Sequence, residues 1–272
     1  KSQGFEVDIA PVDEKGFVDV EALANLIRPD TILVSIMAVN NEIGSIQPIE
    51  AISELLADKP TISFHVDAVQ ALAKIPTEKY LTDRVDFATF SSHKFHGVRG
   101  VGFVYIKSGK RIMPLLTGGG QEGDYRSTTE NVAGIAATAK ALRLAMENLD
   151  LFTAKTSQMK AVIRQALLDY PDIFVFSDEE DFAPHILTFG IKGVRGEVIV
   201  HAFEDYDIFI STTSACSSKA GKPAGTLIAM GVDKDKAQSA VRLSLDLEND
   251  MSQVEQFLTK LKLIYNQTRK VR

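Results

Sequence analysis

Short apolar runs alternate with segments of helical periodicity in the first half of the chain. Residues 31–39 form one apolar run, and similar runs follow at 61–66, 85–90 and 101–106. Continuous apolar runs of this length are typical of strands that are buried on both faces of a parallel sheet. Helical stretches separate most of these runs, and Pro48 opens the first of them. We therefore predict an α/β fold with a mainly parallel sheet and helices on both faces.

The pattern changes after two long segments in the middle of the chain. Residues 131–149 and 153–169 are rich in Ala, Leu, Lys and Met, and both are predicted to be helices. After Pro171, short predicted strands, among them residues 208–210, alternate with amphipathic helices, which is typical of an α+β domain. We predict that residues 1–150 belong to a large α/β domain. Residues 151–272 are predicted to form a smaller α+β domain.

The ends of the chain carry little sign of targeting. Residues 4–9 are predicted to form a strand, and the chain does not begin with Met, so we interpret it as part of a longer protein. No charged segment followed by an apolar segment opens the chain, as it would in a signal peptide. No apolar run approaches the roughly 18 residues that a membrane helix needs. A membrane partner is therefore not expected.

Charge and cysteine content exclude several functions. The formal net charge of −6 does not favour a protein that binds nucleic acid through a basic surface. The single cysteine among 272 residues cannot form an internal disulfide, and a four-cysteine zinc site is impossible. A single thiol is compatible with a reducing compartment, so we expect a cytoplasmic location.

Polar side chains follow three of the predicted strands. The first run ends at Asn40-Asn41-Glu42, the second at residues 65–70 (HVDAVQ) and the third at residues 91–94 (SSHK). The carboxyl ends of parallel strands meet at one edge of a sheet, where ligands bind. An amine beside an acid, an imidazole and hydroxyls is what a Schiff-base cofactor requires. The amine would form the imine, the acid would hold a pyridine nitrogen protonated, and the hydroxyls and imidazole would hold a phosphate.

Each of these residues also has a structural interpretation. Asp67 could cap a following helix, His93 could be a partly buried histidine with satisfied hydrogen bonds, and Lys94 could be an ordinary surface lysine. His93 and His96 are three residues apart, but without further ligands this pair does not predict a metal site. We therefore predict no metal.

Two residues in the second half of the chain are also candidate functional residues. Cys216 could be a small buried side chain, but its neighbours are small and polar, which favours an exposed loop with a reactive thiol. Arg242 interrupts an apolar strand, and it could form either a structural ion pair or a bidentate clamp on a substrate carboxylate.

Together these segments resemble the cysteine desulfurases of the class V aminotransferase family, which are fold-type I enzymes that use pyridoxal 5'-phosphate (PLP). The matching segments, in chain order, are Val34–Gly44, His65–Gln70, Asp86–Lys94, Gly118–Thr129, Ser211–Ser218 and Val241–Leu245. They cover nearly the whole chain. The resemblance implies that L-cysteine is converted to L-alanine and that its sulfur passes to a protein.

The resemblance also implies a role for individual residues. Lys94 would attach PLP covalently and transfer protons, Asp67 would pair with the pyridinium nitrogen, and Gln70 and Asn41 would contact the phenolic oxygen. Ser91 and His93 would bind the phosphate, and His93 is also counted among the catalytic residues. Arg242 with Asn41 would hold the substrate carboxylate, and Cys216 would accept the sulfur as a persulfide. Thr129 would reach the phosphate of a neighbouring subunit, which implies a homodimer. The sulfur acceptor would be an iron–sulfur scaffold or a tRNA-thiolation protein.

The chain departs from the family pattern in three places. Thr128 and Thr213 stand where the family usually has Gly. The family also carries an upstream segment with a Gly/Thr-rich phosphate loop and a histidine that stacks on the ring, and neither precedes Thr31 here. We therefore expect the chain to lack the N-terminal third of a desulfurase and to be weakly active or inactive. Two alternatives stay open, namely another class V enzyme (an aminotransferase or a selenocysteine lyase) and a non-catalytic dimeric scaffold.

Overall fold

The computed structural model describes residues 3–178, 180–213 and 225–270. Within these residues the helices are α1 (Val20–Leu26), α2 (Ile49–Leu55), α3 (Val132–Glu147), α4 (Leu149–Leu168), α5 (Gly196–Glu204), α6 (Gly225–Ala229), α7 (Lys234–Gln238) and α8 (Met251–Lys270). The strands are β1 (Leu33–Met37), β2 (Ser63–Asp67), β3 (Phe87–Ser91), β4 (Gly102–Ile106), β5 (Ile173–Val175), β6 (Ile186–Ile191), β7 (Ser211–Thr212) and β8 (Ala240–Ser244).

The contacts between residues divide the chain into two compact units. The central unit consists of Asp30–Ala38 and Ile49–Leu149, and the terminal unit consists of Lys1–Pro29, Val39–Pro48 and Asp150–Arg272. The terminal unit is thus assembled from three stretches of sequence. The predicted domains, residues 1–150 and 151–272, stay a prediction.

The central unit contains a four-stranded sheet in the order β1-β2-β3-β4. Strands β1, β2 and β3 are parallel, and Asp67 of β2 lies between Met37 of β1 and Thr89 of β3 in the register. The core beneath the sheet includes Phe64 and Val66, which are fully buried. The parallel pairing confirms the predicted α/β fold and places the carboxyl ends of three strands side by side.

Two connections in this sheet are not helical crossovers. Strand β4 is antiparallel to β3. The link between them is a 3-10 turn at Ser92–Phe95 and a few further residues, and parallel strands need a crossover of about a dozen residues or more. Between β2 and β3 the chain forms turns and a short 3-10 helix, Thr77–Lys79.

The terminal unit contains an antiparallel sheet in the order β5-β6-β8-β7. Its core is mostly aliphatic with a few aromatic side chains, and the rings of Phe203 and Phe257 stack with centroids 4.9 Å apart. The predicted strand at residues 208–210 is wrong in its position, because the strand that pairs with β8 is Ser211–Thr212.

The prediction of a strand at residues 4–9 is wrong. The structure shows no strand there, although the segment alternates apolar and polar side chains. A strand requires a partner for its backbone hydrogen bonds, and the segment instead makes side-chain contacts. Glu6 and Asp8 pair with Arg28 at 3.1 and 2.5 Å.

Asp86 fixes the start of β3 in the central unit. Its carboxylate is 2% exposed, accepts a hydrogen bond from the Phe64 backbone N at 2.9 Å, and pairs with Arg84 at 2.7 Å and Lys110 at 3.3 Å. Burial acts to raise the pKa of Asp86, but the hydrogen bonds from Phe64, Arg84 and Lys110 outweigh burial and lower the pKa below its ordinary value. The ionised form is therefore the one that holds β2 and β3 together.

Replacing Asp86 with alanine should lower the free energy of unfolding by about 3–5 kcal/mol, because it leaves buried donors and cations without their partner. In the wild-type chain this stabilisation should be present above the ordinary aspartate pKa of about 3.9 and lost as the pH falls below it. Urea unfolding at several pH values measures both effects. The exposed Asp83, replaced by alanine, is the control. A loss under about 1 kcal/mol for Asp86→Ala would contradict this role.

Candidate functional site

The carboxyl ends of β2 and β3 bring an acid and an amine to one edge of the central sheet. Strand β2 ends at Asp67, and β3 ends at Ser91. The 3-10 turn that follows β3 carries His93 and Lys94. Because β2 and β3 are parallel neighbours, these side chains project from adjacent strand ends.

The Asp67 carboxylate is held by the turn that follows it. Its Oδ1 accepts a hydrogen bond from the backbone N of Val69 at 3.0 Å. The side chain is half-buried, and Gln70, three residues later, is buried. Asp67 was alternatively expected to cap a following helix, and the structure shows that it caps a turn instead. One carboxylate oxygen is fixed by this contact, which orients the group.

The turn that carries Lys94 is packed against helix α3. The hydroxyl groups of Ser92 and Thr138 lie 2.9 Å apart, which ties the turn to α3. A side chain at Gly97 would come within 1.8 Å of the Ser92 Oγ, so the residue must be glycine. His96 ends the turn in the left-handed region, with a φ of 63°. These contacts hold the backbone of Lys94, whose side chain is half-buried.

The predicted phosphate-binding residues lie close to this turn or after β4. Ser91 is half-buried and His93 is exposed, so His93 does not have the partly buried position that its structural interpretation requires. Thr129 is exposed in the segment between β4 and α3. The structure therefore leaves the hydroxyl and imidazole of the β3 end accessible to a ligand.

The terminal unit brings Asn41 and Arg242 together. Arg242 lies in β8, and its Nη1 donates a hydrogen bond to the backbone oxygen of Asn41 at 2.7 Å. Thr188, the register partner of Arg242 in β6, donates its hydroxyl to the backbone oxygen of Glu42 at 2.5 Å. The Asn41–Glu42 segment is thus fastened to the strand that carries the arginine.

Sequence reasoning assigned no role to Glu42. Its carboxylate accepts a hydrogen bond from the backbone N of Thr226 at 3.2 Å. Burial raises the pKa of Glu42, while hydrogen bonds from Thr226 and the charge of Arg242 act in the opposite direction. The available signal was a carboxylate close to the end of an apolar run, in the segment Asn40-Asn41-Glu42.

Sequence reasoning also assigned no role to His65. Its Nδ1 lies 2.7 Å from the Ser35 Oγ, and its Nε2 lies 3.1 Å from the Thr89 Oγ1. Burial lowers the pKa of His65, and the charge of Asp67 offsets part of that effect. The sequence offered one signal, since His65 lies two residues before Asp67 and side chains two apart on a strand share a face.

Three further predictions concern Cys216, a metal site and a membrane-spanning helix. The predicted sulfur acceptor Cys216 lies outside the described residues. Within the part of the chain that the structure describes, no group of three His, Cys, Asp or Glu side chains could hold a metal ion. None of the described helices is long and apolar enough to cross a membrane.

Comparison with known proteins supports the resemblance. The family model for "Aminotransferase class-V" matches residues 1–257. A NifS/IcsS protein homolog of Lactobacillus delbrueckii subsp. bulgaricus is 51% identical over 269 residues, which cover 98% of this chain and 70% of that protein. A protein named cysteine desulfurase IscS, from Clostridium botulinum, is 39% identical over 275 residues, which cover 100% of this chain and 68% of that protein.

A solved structure agrees with the sequence matches. A structure described as a NifS-like protein superimposes with a TM-score of 0.89 at 37% identity, and the match covers 97% of this chain and 69% of that chain. These matches confirm the predicted fold class and the predicted resemblance. The chain spans about 70% of the length of the first of these relatives.

Proposed function

The chain belongs to the class V aminotransferase family, and from this membership we propose that it acts in the PLP-dependent desulfuration of L-cysteine to L-alanine. The observation that carries the proposal is the placement of Asp67 and Lys94 at the adjacent carboxyl ends of the parallel strands β2 and β3. A carboxylate and an amine in this arrangement suit a ligand that has a basic ring nitrogen and an aldehyde.

The residues of the central unit fit PLP by their chemistry. Asp67 supplies an oriented carboxylate for a pyridinium nitrogen, and Lys94 supplies the amine that bonds to an aldehyde. Ser91 and His93 offer donors to a phosphate, and Gln70 offers an amide to a phenolic oxygen. When bound, PLP supplies a ring that accepts the electrons released when a bond at the substrate Cα breaks.

Lys94 has two tasks in this proposal. Its amine would bond to the aldehyde of the cofactor, and the same amine would serve as the base for the proton at the substrate Cα. The packed turn beneath it, with Ser92 against Thr138, limits how far the backbone of Lys94 can move. Because its backbone is fixed and its side chain is flexible, the Lys94 amine can reach both the cofactor aldehyde and the substrate Cα.

Arg242 and Asn41 are proposed to bind the substrate carboxylate, and Asn41 is also proposed to approach the phenolic oxygen of the cofactor. A guanidinium offers two parallel donors to a carboxylate. The hydrogen bond from Arg242 to the Asn41 backbone oxygen uses Nη1 and sets the direction of the guanidinium plane. Arg242 also lies near the half-buried carboxyl of Glu42, and its charge acts to lower the pKa of that carboxyl against the larger effect of burial.

Arg242→Lys should raise the KM for L-cysteine about 10-fold to 100-fold and change kcat less, because a lysine keeps the charge but cannot form two parallel hydrogen bonds. Steady-state kinetics with L-cysteine measure the effect. Arg195→Lys is the matched control, since Arg195 makes a surface ion pair with Glu197 at 3.6 Å. An unchanged KM in Arg242→Lys, with unchanged thermal unfolding, would refute carboxylate binding by this residue.

The remaining roles rest on the sequence resemblance. Cys216 is proposed to attack the substrate sulfur as a thiolate and to carry it as a persulfide to a protein acceptor. That acceptor is proposed to be an iron–sulfur scaffold or a tRNA-thiolation protein. Thr129 is proposed to reach the phosphate held by a second copy of the chain, so the active form would be a homodimer. The single thiol supports a cytoplasmic location.

The test is an assay of the purified chain with PLP and L-cysteine. The expected products are L-alanine and one additional sulfur atom on Cys216, detected by amino-acid analysis and mass spectrometry. Release of alanine from L-selenocysteine alone would indicate a selenocysteine lyase, and formation of a keto acid would indicate an aminotransferase. If the chain takes up no PLP, the proposal fails for this chain and the scaffold alternative is favoured.

A further inference from the structure

A row of hydrogen-bonded side chains crosses the central sheet next to Asp67. It runs from the Ser35 hydroxyl on β1 through the His65 imidazole on β2 to the Thr89 hydroxyl on β3, with distances of 2.7 and 3.1 Å. The imidazole thus contacts a hydroxyl on each neighbouring strand. The mechanism proposed above does not use any of the three side chains.

The strand register places the end of this row beside Asp67. Side chains alternate between the faces of a strand, so His65 and Asp67 share one face of β2, separated by about 6–7 Å along the strand. Thr89 is the register partner of Asp67 on the parallel strand β3, so it lies on the same face at about the 4.8 Å strand spacing. Thr89 is therefore the lateral neighbour of Asp67 on this face of the sheet.

We propose that His65 is a positioning residue for the Asp67 carboxylate and acts through the Thr89 hydroxyl. This inference rests on the proposed function, in which Asp67 holds a pyridinium nitrogen. One oxygen of Asp67 is already held by the Val69 backbone N. A donor from Thr89 to the carboxylate would fix its rotation and stabilise its ionised form, so that the shared proton stays on the ring nitrogen.

The direction of the hydrogen bonds decides whether Thr89 can serve Asp67. A hydroxyl has one proton, so Thr89 can donate to Asp67 only if it accepts from His65. His65 must then carry its proton on Nε2 and accept from Ser35 at Nδ1. A neutral imidazole satisfies this arrangement, and burial lowers the pKa of His65 and favours the neutral form.

The charges around the row are consistent with this direction. Within strands β1 to β4, which are all described, Asp67 is the charged side chain on the face that carries His65. The neighbours of the imidazole on β1 and β3 are hydroxyls, which can accept or donate. The negative charge of Asp67 therefore favours the direction in which Ser35 donates to His65, His65 donates to Thr89, and Thr89 donates toward Asp67.

The first experiment needs no cofactor. Nitrogen-15 NMR of the histidine rings in the cofactor-free chain should show His65 with its proton on Nε2 at pH 7. At the same pH the carbon-13 resonance of the Asp67 carboxyl should move in Thr89→Val and His65→Gln, and should return toward its wild-type position in Thr89→Ser. A proton on Nδ1, or an Asp67 resonance that ignores all three substitutions, would overturn the inference.

The second experiment uses the chain loaded with PLP labelled with nitrogen-15 in the ring. In Thr89→Val and His65→Gln the ring nitrogen resonance should shift toward that of neutral pyridine, kcat should fall about 10-fold, and KM should change little. Thr89→Ser should restore the wild-type ring nitrogen resonance and the wild-type kcat. A ring resonance unchanged in Thr89→Val would also refute the positioning role. A chain that binds no PLP would refute the proposed function, while the cofactor-free measurement still decides the direction of the row.

Discussion

Lys94→Ala is expected to abolish covalent attachment of PLP and to reduce desulfuration of L-cysteine by a factor of about a thousand or more. The substitution removes the amine that bonds to the cofactor and the base that takes the Cα proton, and base catalysis alone contributes about 10²–10⁴-fold. The fold should be unaffected, because the turn is held by Ser92, Thr138 and the space at Gly97 and not by the half-buried Lys94 side chain.

The measurement is borohydride reduction of the PLP-treated chain, followed by mass spectrometry of its peptides. In the wild-type chain the reduced cofactor should be found on Lys94, and in Lys94→Ala it should be absent from every lysine. Lys79→Ala is the matched control, since Lys79 is an exposed lysine in another short 3-10 helix of the same unit. Cofactor trapped on a different lysine in Lys94→Ala would show that the assignment is wrong.

Cys216→Ala is expected to abolish sulfur transfer and to leave PLP binding intact. Cys216 is the only cysteine in the sequence, so a protein-bound persulfide on this chain has no other place to form. The proposed cofactor ligands Asp67 and Lys94 lie in the central unit and do not depend on a thiol. The two functions should therefore separate in this variant.

Two measurements on the same sample test the separation. Mass spectrometry should find no added sulfur on Cys216→Ala after incubation with L-cysteine, while borohydride should still trap PLP on Lys94. Ser217→Ala is the control for a change in the same segment, and it should retain the persulfide. Loss of PLP in Cys216→Ala, or alanine release at the wild-type rate, would contradict the role of Cys216 as the sulfur acceptor.

The positions of the central strands could be predicted because apolar runs end where polar side chains begin. Asp67 and Ser91 close β2 and β3 in the structure, close to where the sequence pattern changes. The direction of β4 was not predicted, because composition does not encode strand direction, although the short link from Ser91 to Gly102 contained that information. Residues 4–9 show the limit of alternation as a signal, since Glu6 and Asp8 pair with Arg28 instead of forming a strand.

The candidate site could be predicted where neighbouring residues in sequence share an edge, as with His93 and Lys94. Contacts between distant segments could not be foreseen from composition or spacing. The hydrogen bond from Arg242 to Asn41 joins residues far apart in sequence, and the resemblance, not the pattern, linked them. His65 was overlooked because its partners, Ser35 and Thr89, lie on different strands, so only the register shows what the imidazole touches.

The discontinuous make-up of the terminal unit has a consequence for synthesis on the ribosome. Residues 39–48 emerge early, but their partners, including Thr188 and Arg242, are translated much later. The sheet whose strand ends position Asp67 and Lys94 is complete within residues 33–106, so its strands can pair while the nascent chain is still growing. The proposed cofactor ligands can thus be in place before translation reaches the arginine proposed to bind the substrate.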